Sequence, residues 1–131
     1  MTPELYALAL AILVQAVQFA LLAIPANMEL GTKYTLSPRD EPPTDQLSRQ
    51  TARAQRALNN HFEGLILFTA AVVLITVSEQ STWFTALCAW IYLAARIAYV
   101  PAYTRGWVPA RSLIWTTGFA ATILMTLAAL L

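Results

Sequence analysis

Four long apolar stretches limit what this chain can fold into. They cover residues 5–24, 65–77, 83–95 with a continuation to 103, and 113–131. A helix needs roughly 20 apolar residues to cross the hydrocarbon core of a bilayer, and the first and fourth stretches are long enough by themselves. Charged residues make up only 11% of the chain, whereas soluble domains carry about 25%. The sequence therefore predicts an integral membrane protein.

The predicted architecture is an all-α membrane bundle of four helices that forms a single domain over residues 1–131. Helices are expected at about 4–25, 50–78, 82–104 and 109–131, with a cytoplasmic loop at 26–49. Pro25 is expected to end the first helix, because proline cannot donate a backbone hydrogen bond.

The second and third helices cannot span a bilayer on their apolar residues alone. Each has only about 13 such residues before a charged one. Polar residues must therefore reach membrane depth, from Glu63 backwards and from Arg96 forwards. A tight turn near 78–82 makes these helices antiparallel neighbours, so Glu63 and Arg96 are expected at nearly the same height. The same count places Asn60 at the height of Tyr99, and Arg56 at the height of Tyr103. Arg111 is expected near the height of Glu63 and Arg96.

The basic residues predict the orientation of the bundle. All of them fall on the side of the first and third loops: Lys33, Arg39, Arg49, Arg53, Arg56, Arg96, Arg105 and Arg111. Cytoplasmic loops of membrane proteins carry an excess of Lys and Arg. Both of those loops are therefore expected in the cytoplasm, and both termini on the opposite side.

The polar residues of the second and third helices form two candidate faces. Arg56, Asn60 and Glu63 fall within roughly 60° of arc on one helix face, and Arg53 joins it nearly one turn below. The third helix has a stripe made of Tyr92, Arg96, Tyr99 and Tyr103. An ionisable residue at membrane depth costs about 2.5 to 3.5 kcal/mol and is by default a functional-site hypothesis.

Two interpretations of these charges stand side by side. Glu63 and Arg96 could pair and simply hold the two helices together. Alternatively, the surplus of arginines over the single nearby carboxylate predicts a pocket for an anionic ligand. His61 lies off the shared face and is expected at the membrane interface. The sequence contains no metal-ligand cluster.

Two segments resemble the MAPEG family, membrane-associated proteins in eicosanoid and glutathione metabolism. The first is RALNNHFE at 56–63, similar to the family pattern R-A-x-x-N-x-x-E. The second is ARIAYVPAYTRG at 95–106, followed by the Pro-Ala-Arg-Ser run at 109–112. The segment 37–42 resembles a bacterial branch of the family.

The resemblance implies a homotrimer that binds glutathione as co-substrate between subunits, in the cytoplasmic half of the membrane. The residues implied in holding glutathione are Arg53, Arg56, Asn60, Glu63, Arg96, Tyr99, Tyr103 and Arg105. Arg111 and Tyr99 are implied in catalysis, and Arg111 matches the arginine that stabilises the thiolate in several members. A neighbouring guanidinium lowers the pKa of a thiol, and the thiolate is the nucleophile.

The function expected from the resemblance is a glutathione-dependent transferase or peroxidase that acts on a lipophilic electrophile in a bacterial inner membrane, with periplasmic termini. An alternative is a non-catalytic membrane protein that binds an anionic ligand, a lipid or a partner protein, which the lack of arginine in the first helix favours. A small multidrug exporter is a weaker match, because its carboxylate belongs to the first helix, which here has no charge between residues 5 and 24.

Overall fold

The structure, a computed structural model, describes residues 1–40 and 47–131. Its helices are α1 (Pro3–Leu30), α2 (Thr32–Thr35), α3 (Arg49–Val77), α4 (Trp83–Thr104) and α5 (Val108–Leu130). By length and composition, α1, α3, α4 and α5 could each cross a membrane. The prediction of an all-α, four-helix membrane bundle is confirmed. Residues 41–46 of the expected loop at 26–49 lie outside the described part of the chain.

The first helix is longer than expected, and the prediction that Pro25 ends it is wrong. Pro25 removes one hydrogen bond, the one to the carbonyl four residues earlier, and its ring crowds that carbonyl, but α1 continues past it to Leu30. The helix instead ends at Gly31, whose positive φ of 81° suits glycine. The Gly31 N–H donates to the Asn27 carbonyl at 2.9 Å. The connection to α3 therefore begins five residues later than Pro25 would place it.

Helices α3 and α4 lie at the centre of the bundle, and each contacts both α1 and α5. The core fills the half of the bundle near the α3–α4 turn at residues 78–82. There the Phe68 ring stacks on the Tyr92 ring at a centroid distance of 3.8 Å. The smallest residues of this core are the five alanines Ala7, Ala11, Ala71, Ala89 and Ala121. Small side chains let helix backbones approach closely, which is how membrane helices gain packing contacts.

The outer surface of the bundle is apolar. On α1, the side chains of Ile12, Leu13, Val17 and Phe19 are all more than half exposed. Lipid tails are as apolar as these side chains, so their exposure costs nothing in a bilayer. The same surface in water would be an extended apolar patch.

Two carboxylates hold α1 against the other helices, one at each of its ends. Glu4 is fully buried and accepts hydrogen bonds from the Ser81 and Thr85 hydroxyls at the N-terminus of α4. Glu29 accepts the Ser48 N–H at 3.1 Å and the Thr51 hydroxyl at 2.9 Å at the N-terminus of α3. A negative charge is favourable at a helix N-terminus, because the first backbone N–H groups are unpaired there. These contacts fix the position of α1 along α3 and α4.

Replacing Glu4 with Ala should lower the free energy of unfolding by about 1 to 3 kcal/mol, because the Thr85 hydroxyl loses its charged acceptor in the interior. Thermal unfolding of detergent-purified protein, followed by circular dichroism, measures the change. Glu79→Ala is the matched control, since Glu79 is an exposed carboxylate at the same end of the bundle. The control should stay within about 0.5 kcal/mol of the unmodified protein. Equal stability of the two variants would contradict this role of Glu4.

Candidate functional site

A buried arginine joins two helices in the half of the bundle opposite the apolar core. Arg96 on α4 is only 3% exposed. Its Nη1 donates to Asn60 Oδ1 at 3.0 Å, and its Nε donates to His61 Nδ1 at 3.4 Å. Its guanidinium also lies over the Tyr99 ring, 4.7 Å from the centroid. Both of its hydrogen-bond acceptors belong to α3 and both are uncharged groups.

His61 extends this network to α1. Its Nε2 lies 3.2 Å from the Ala11 carbonyl oxygen, and its Nδ1 lies 3.0 Å from Gln18 Nε2. His61 is fully buried within the bundle, so the expectation that it lies at the membrane interface is wrong. The sequence contained a signal for this position. His61, Phe68 and Ile75 recur at intervals of seven, which places them on one face of a helix, and the other two are core residues.

Tyr103 lies between two arginines from different helices. Arg56 Nε donates to the Tyr103 hydroxyl at 3.1 Å, and the Arg111 guanidinium lies 4.9 Å from the centroid of the Tyr103 ring. The centroids of the Tyr99 and Tyr103 rings are 5.6 Å apart. Tyr99, Tyr103 and Arg111 face an open cavity of about 480 Å³, called here the arginine cavity. It is lined by Asn60, Tyr99, Tyr103, Arg111, Ser112, Trp115 and Thr116.

A second, smaller cavity of about 150 Å³ lies beside it between α3, α4 and α5, and is called here the inner cavity. Tyr92 and Arg96 line it, and the Tyr92 hydroxyl and Arg96 Nη2 are buried there without a hydrogen-bond partner among the described residues. Gly64 packs beside the Tyr92 hydroxyl, and a Cβ at this position would lie 3.4 Å from it, at ordinary contact distance. Buried polar groups normally find partners, so these two donors mark the inner cavity as a place for an oxygen-bearing group.

Glu63 lines the inner cavity but does not pair with Arg96. Within the described part of the chain, no hydrogen bond or ion pair joins the two side chains. Glu63 is exposed on the surface of the protomer, while Arg96 turns toward Asn60 and His61. The interpretation that a Glu63–Arg96 pair holds the two helices together is therefore wrong. Equal height along the bundle did not determine which way each side chain faces.

Arg53 and Arg105 lie apart from both cavities, near the C-terminus of α4. Arg53 Nη1 donates to the Thr104 carbonyl at 3.4 Å, where a positive charge complements the partial negative charge of a helix end. Gly106 has a φ of 74°, and a Cβ there would lie 2.8 Å from Arg53 Nη1. The Arg105 guanidinium lies over the exposed Trp107 ring at 5.5 Å.

Six of the predicted site residues line the two adjoining cavities, and Arg56 contacts one of the six, Tyr103. The six are Asn60 and Glu63 from α3, Arg96, Tyr99 and Tyr103 from α4, and Arg111 from α5. In the described residues, no group of three His, Cys, Asp or Glu side chains could hold a metal ion. The chemistry available here is recognition of oxygen-bearing anions by guanidinium, hydroxyl and amide groups.

These features define the class of protein as an integral membrane helix bundle with a polar site in one half. In the described residues, four membrane-length helices surround a buried arginine, and cationic and aromatic side chains line shared cavities. The profile of the MAPEG family matches residues 7–131, nearly the whole chain. The chain therefore belongs to the MAPEG family, membrane proteins of glutathione and eicosanoid metabolism, and the resemblance inferred from the sequence is confirmed. No curated protein matches the chain closely enough to count as a relative.

Replacing Arg96 with Lys should lower the free energy of unfolding by about 1 to 3 kcal/mol, because a single ammonium cannot reach Asn60 and His61 in the forked geometry of a guanidinium. Arg49→Lys is the matched control, since Arg49 is exposed at the start of α3. Its stability should stay within about 0.5 kcal/mol of the unmodified protein. Thermal unfolding in detergent measures both variants. If Arg96→Lys is as stable as the control, the contacts of Arg96 with Asn60 and His61 do not contribute to stability.

Proposed function

We propose that this protein is a glutathione-dependent transferase or peroxidase that acts on a lipophilic electrophile. The observation that carries the proposal is the arginine cavity, where Arg111, Tyr99, Tyr103 and Asn60 meet in an otherwise apolar bundle. Glutathione carries two carboxylates, one ammonium and a thiol, so it needs cationic partners and one anionic partner. The second substrate would reach the same site laterally from the bilayer.

Binding of glutathione is assigned to residues that line the two cavities and to Arg56, which contacts Tyr103 at the arginine cavity. Arg56 and Arg96 supply guanidinium donors, which match carboxylate geometry in a bidentate manner. Asn60 contributes an amide at the boundary between the cavities, and Tyr99 and Tyr103 contribute hydroxyl groups. Glu63 is suited to the glutathione ammonium, because it has no cationic partner among the described residues. Arg53 and Arg105 are proposed to add positive charge at the cytoplasmic end rather than direct contacts.

Activation of the thiol is assigned to Arg111, with Tyr99 as a hydroxyl donor on the same cavity. A guanidinium beside the thiol favours the thiolate, which is the nucleophile. In a transfer reaction, the thiolate sulfur forms a bond to an electrophilic carbon, and the leaving group departs with the bonding electrons. In a peroxidase reaction, the sulfur attacks a hydroperoxide oxygen and an alcohol leaves. A second glutathione thiol then converts the resulting sulfenic acid to a disulfide and releases water.

A homotrimer is proposed as the working assembly. Arg56 and Glu63 are exposed on the surface of the protomer although both lie on a membrane-spanning helix. A charged side chain facing lipid at the centre of a span costs about 2.5 to 3.5 kcal/mol. Neighbouring copies that cover this face would remove that cost. The positive-inside rule supports termini on the periplasmic side of a bacterial inner membrane.

A non-catalytic protein that binds an anionic ligand, a lipid or a partner protein is the second candidate. It is favoured by α1, which has no arginine to contribute to the site. The two candidates differ in one measurable respect, since the second predicts saturable binding of glutathione or another anion without turnover of any lipophilic electrophile.

Purified protein titrated with glutathione at neutral pH should develop the ultraviolet absorption band of a thiolate. Arg111→Ala should weaken that band, because it lowers the thiolate-to-thiol ratio of bound glutathione by about tenfold, equivalent to one pKa unit of the bound thiol. The reduction follows from loss of the guanidinium that stabilises the negative sulfur. Arg49→Ala removes an exposed cation from the same side of the bundle and serves as the control. The control should retain the full band.

Two results would argue against this assignment. A full thiolate band in Arg111→Ala would remove Arg111 from catalysis. Glutathione binding without any thiolate band in the unmodified protein would favour the non-catalytic candidate. Size-exclusion chromatography of each variant checks that its assembly state is unchanged, so that a lost band reports on chemistry.

A further inference from the structure

His61 is a buried group that the proposed reaction does not use. It lines neither the arginine cavity nor the inner cavity, yet both of its ring nitrogens have polar partners. Those partners are the Ala11 carbonyl and Gln18 on α1, and Arg96 on α4. His61 is thus a fully buried side chain that connects three helices and contacts Arg96, a site residue. Such a contact indicates a role in the site.

The chemistry of its partners determines the protonation of His61. A backbone carbonyl can only accept, so the Nε2 facing Ala11 must carry a proton. A guanidinium can only donate, so the Nδ1 facing Arg96 must present its lone pair. Gln18 Nε2 lies on the same side and also donates. The two requirements agree on one state, the neutral ring protonated at Nε2, and a doubly protonated ring would set an N–H against the Arg96 N–H.

We propose that His61 is a positioning residue that orients the Arg96 guanidinium toward bound ligand. With Nε held by His61 and Nη1 held by Asn60, the planar guanidinium has no remaining freedom to rotate. Its third nitrogen, Nη2, is buried and has no hydrogen-bond partner among the described residues, and Arg96 is one of the residues that line the inner cavity. The ligand group recognised there is an oxygen acceptor, and its assignment to a glutathione carboxylate rests on the proposed function.

This arrangement gives α1 a part in the site, although no residue of α1 lines either cavity. The Ala11 carbonyl belongs to the helix backbone, so it cannot change position without moving α1. His61 transmits that fixed position to Arg96 through its ring. A donor whose direction is set before binding loses less rotational freedom when ligand arrives, which is the advantage of preorganisation.

A pair of substitutions separates positioning from mere packing. In Asn the side-chain oxygen stands two bonds from Cβ, as His Nδ1 does, so His61→Asn keeps an acceptor for Arg96 and loses the bond to Ala11. In Gln the amide nitrogen stands three bonds from Cβ, as His Nε2 does, so His61→Gln keeps the bond to Ala11 and loses the acceptor. Each variant thus retains one of the two hydrogen bonds.

Glutathione affinity, measured by isothermal titration calorimetry on folded protein, should distinguish the two variants. His61→Gln should weaken binding by about tenfold, because Arg96 Nε is left without its acceptor and the guanidinium can turn. His61→Asn keeps the acceptor for Arg96 but loses the bond to Ala11, so it should weaken binding by only about threefold, between His61→Gln and the unmodified protein. A purely structural His61 would make both variants less stable and leave their affinities alike, and that result would overturn the proposal.

The protonation state is tested without any ligand. The chain contains a single histidine, so protein labelled with nitrogen-15 histidine and purified on a tag free of histidine gives the signals of His61 alone. We expect one nitrogen with a bound proton and one with a free lone pair, the first being Nε2. A ring protonated at Nδ1, or at both nitrogens, would overturn the proposal.

Failure of the proposed function remains distinguishable from failure of this inference. If the unmodified protein binds no glutathione, the proposed function fails, and the Arg96 Nε–H signal, assigned with Arg96→Lys, then tests the positioning by itself. Slow exchange of that proton with water in the unmodified protein and in His61→Asn, with fast exchange in His61→Gln, would support it. Equal exchange in all three proteins would overturn it.

Discussion

The hydrogen-bonding demand of one buried guanidinium determines how the polar half of this bundle is arranged. Arg96 is buried on a helix that is long and apolar enough to cross a membrane, so most of its N–H groups must find acceptors inside the protein. Asn60 and His61 on α3 accept from it, and His61 in turn requires the backbone of α1. Three of the four spanning helices are therefore tied together through this network, and displacement of any one of them would leave buried polar groups without partners.

The apolar half of the bundle makes that network possible. Alanines at the contacts between helices bring the backbones close, and the stacked Phe68 and Tyr92 rings lie between α3 and α4 at the boundary of the two halves. Tyr92 belongs to both halves, since its ring packs in the core and its hydroxyl reaches the inner cavity. Glu4 and Glu29 hold α1 at its two ends, so the Ala11 carbonyl is presented to His61 at a fixed height.

The sequence predicted the helices and most members of the site, because charges in apolar stretches are few and their helical spacing is readable. It predicted neither the partners of Arg96 nor the burial of His61. Counting residues from a turn gives height along a helix, whereas direction depends on how the helices are rotated against each other. Asn60 lies one turn from Glu63, and that difference decides which side chain Arg96 meets. The prediction for Pro25 failed for a different reason. Loss of one hydrogen bond did not stop α1, which continues to Leu30.

The choice of uncharged partners for Arg96 has an electrostatic consequence for the whole site. A direct pair with Glu63 would have cancelled the charge of the guanidinium and left a neutral cavity. Asn60 and His61 satisfy two of its nitrogens without neutralising it, so its positive charge still acts on the inner cavity at short range, where the dielectric is low. Glu63, free of Arg96 and exposed on the protomer, remains available to a cation from a ligand or from a neighbouring copy. Separating these two charges is what allows the site to receive a ligand that carries both signs.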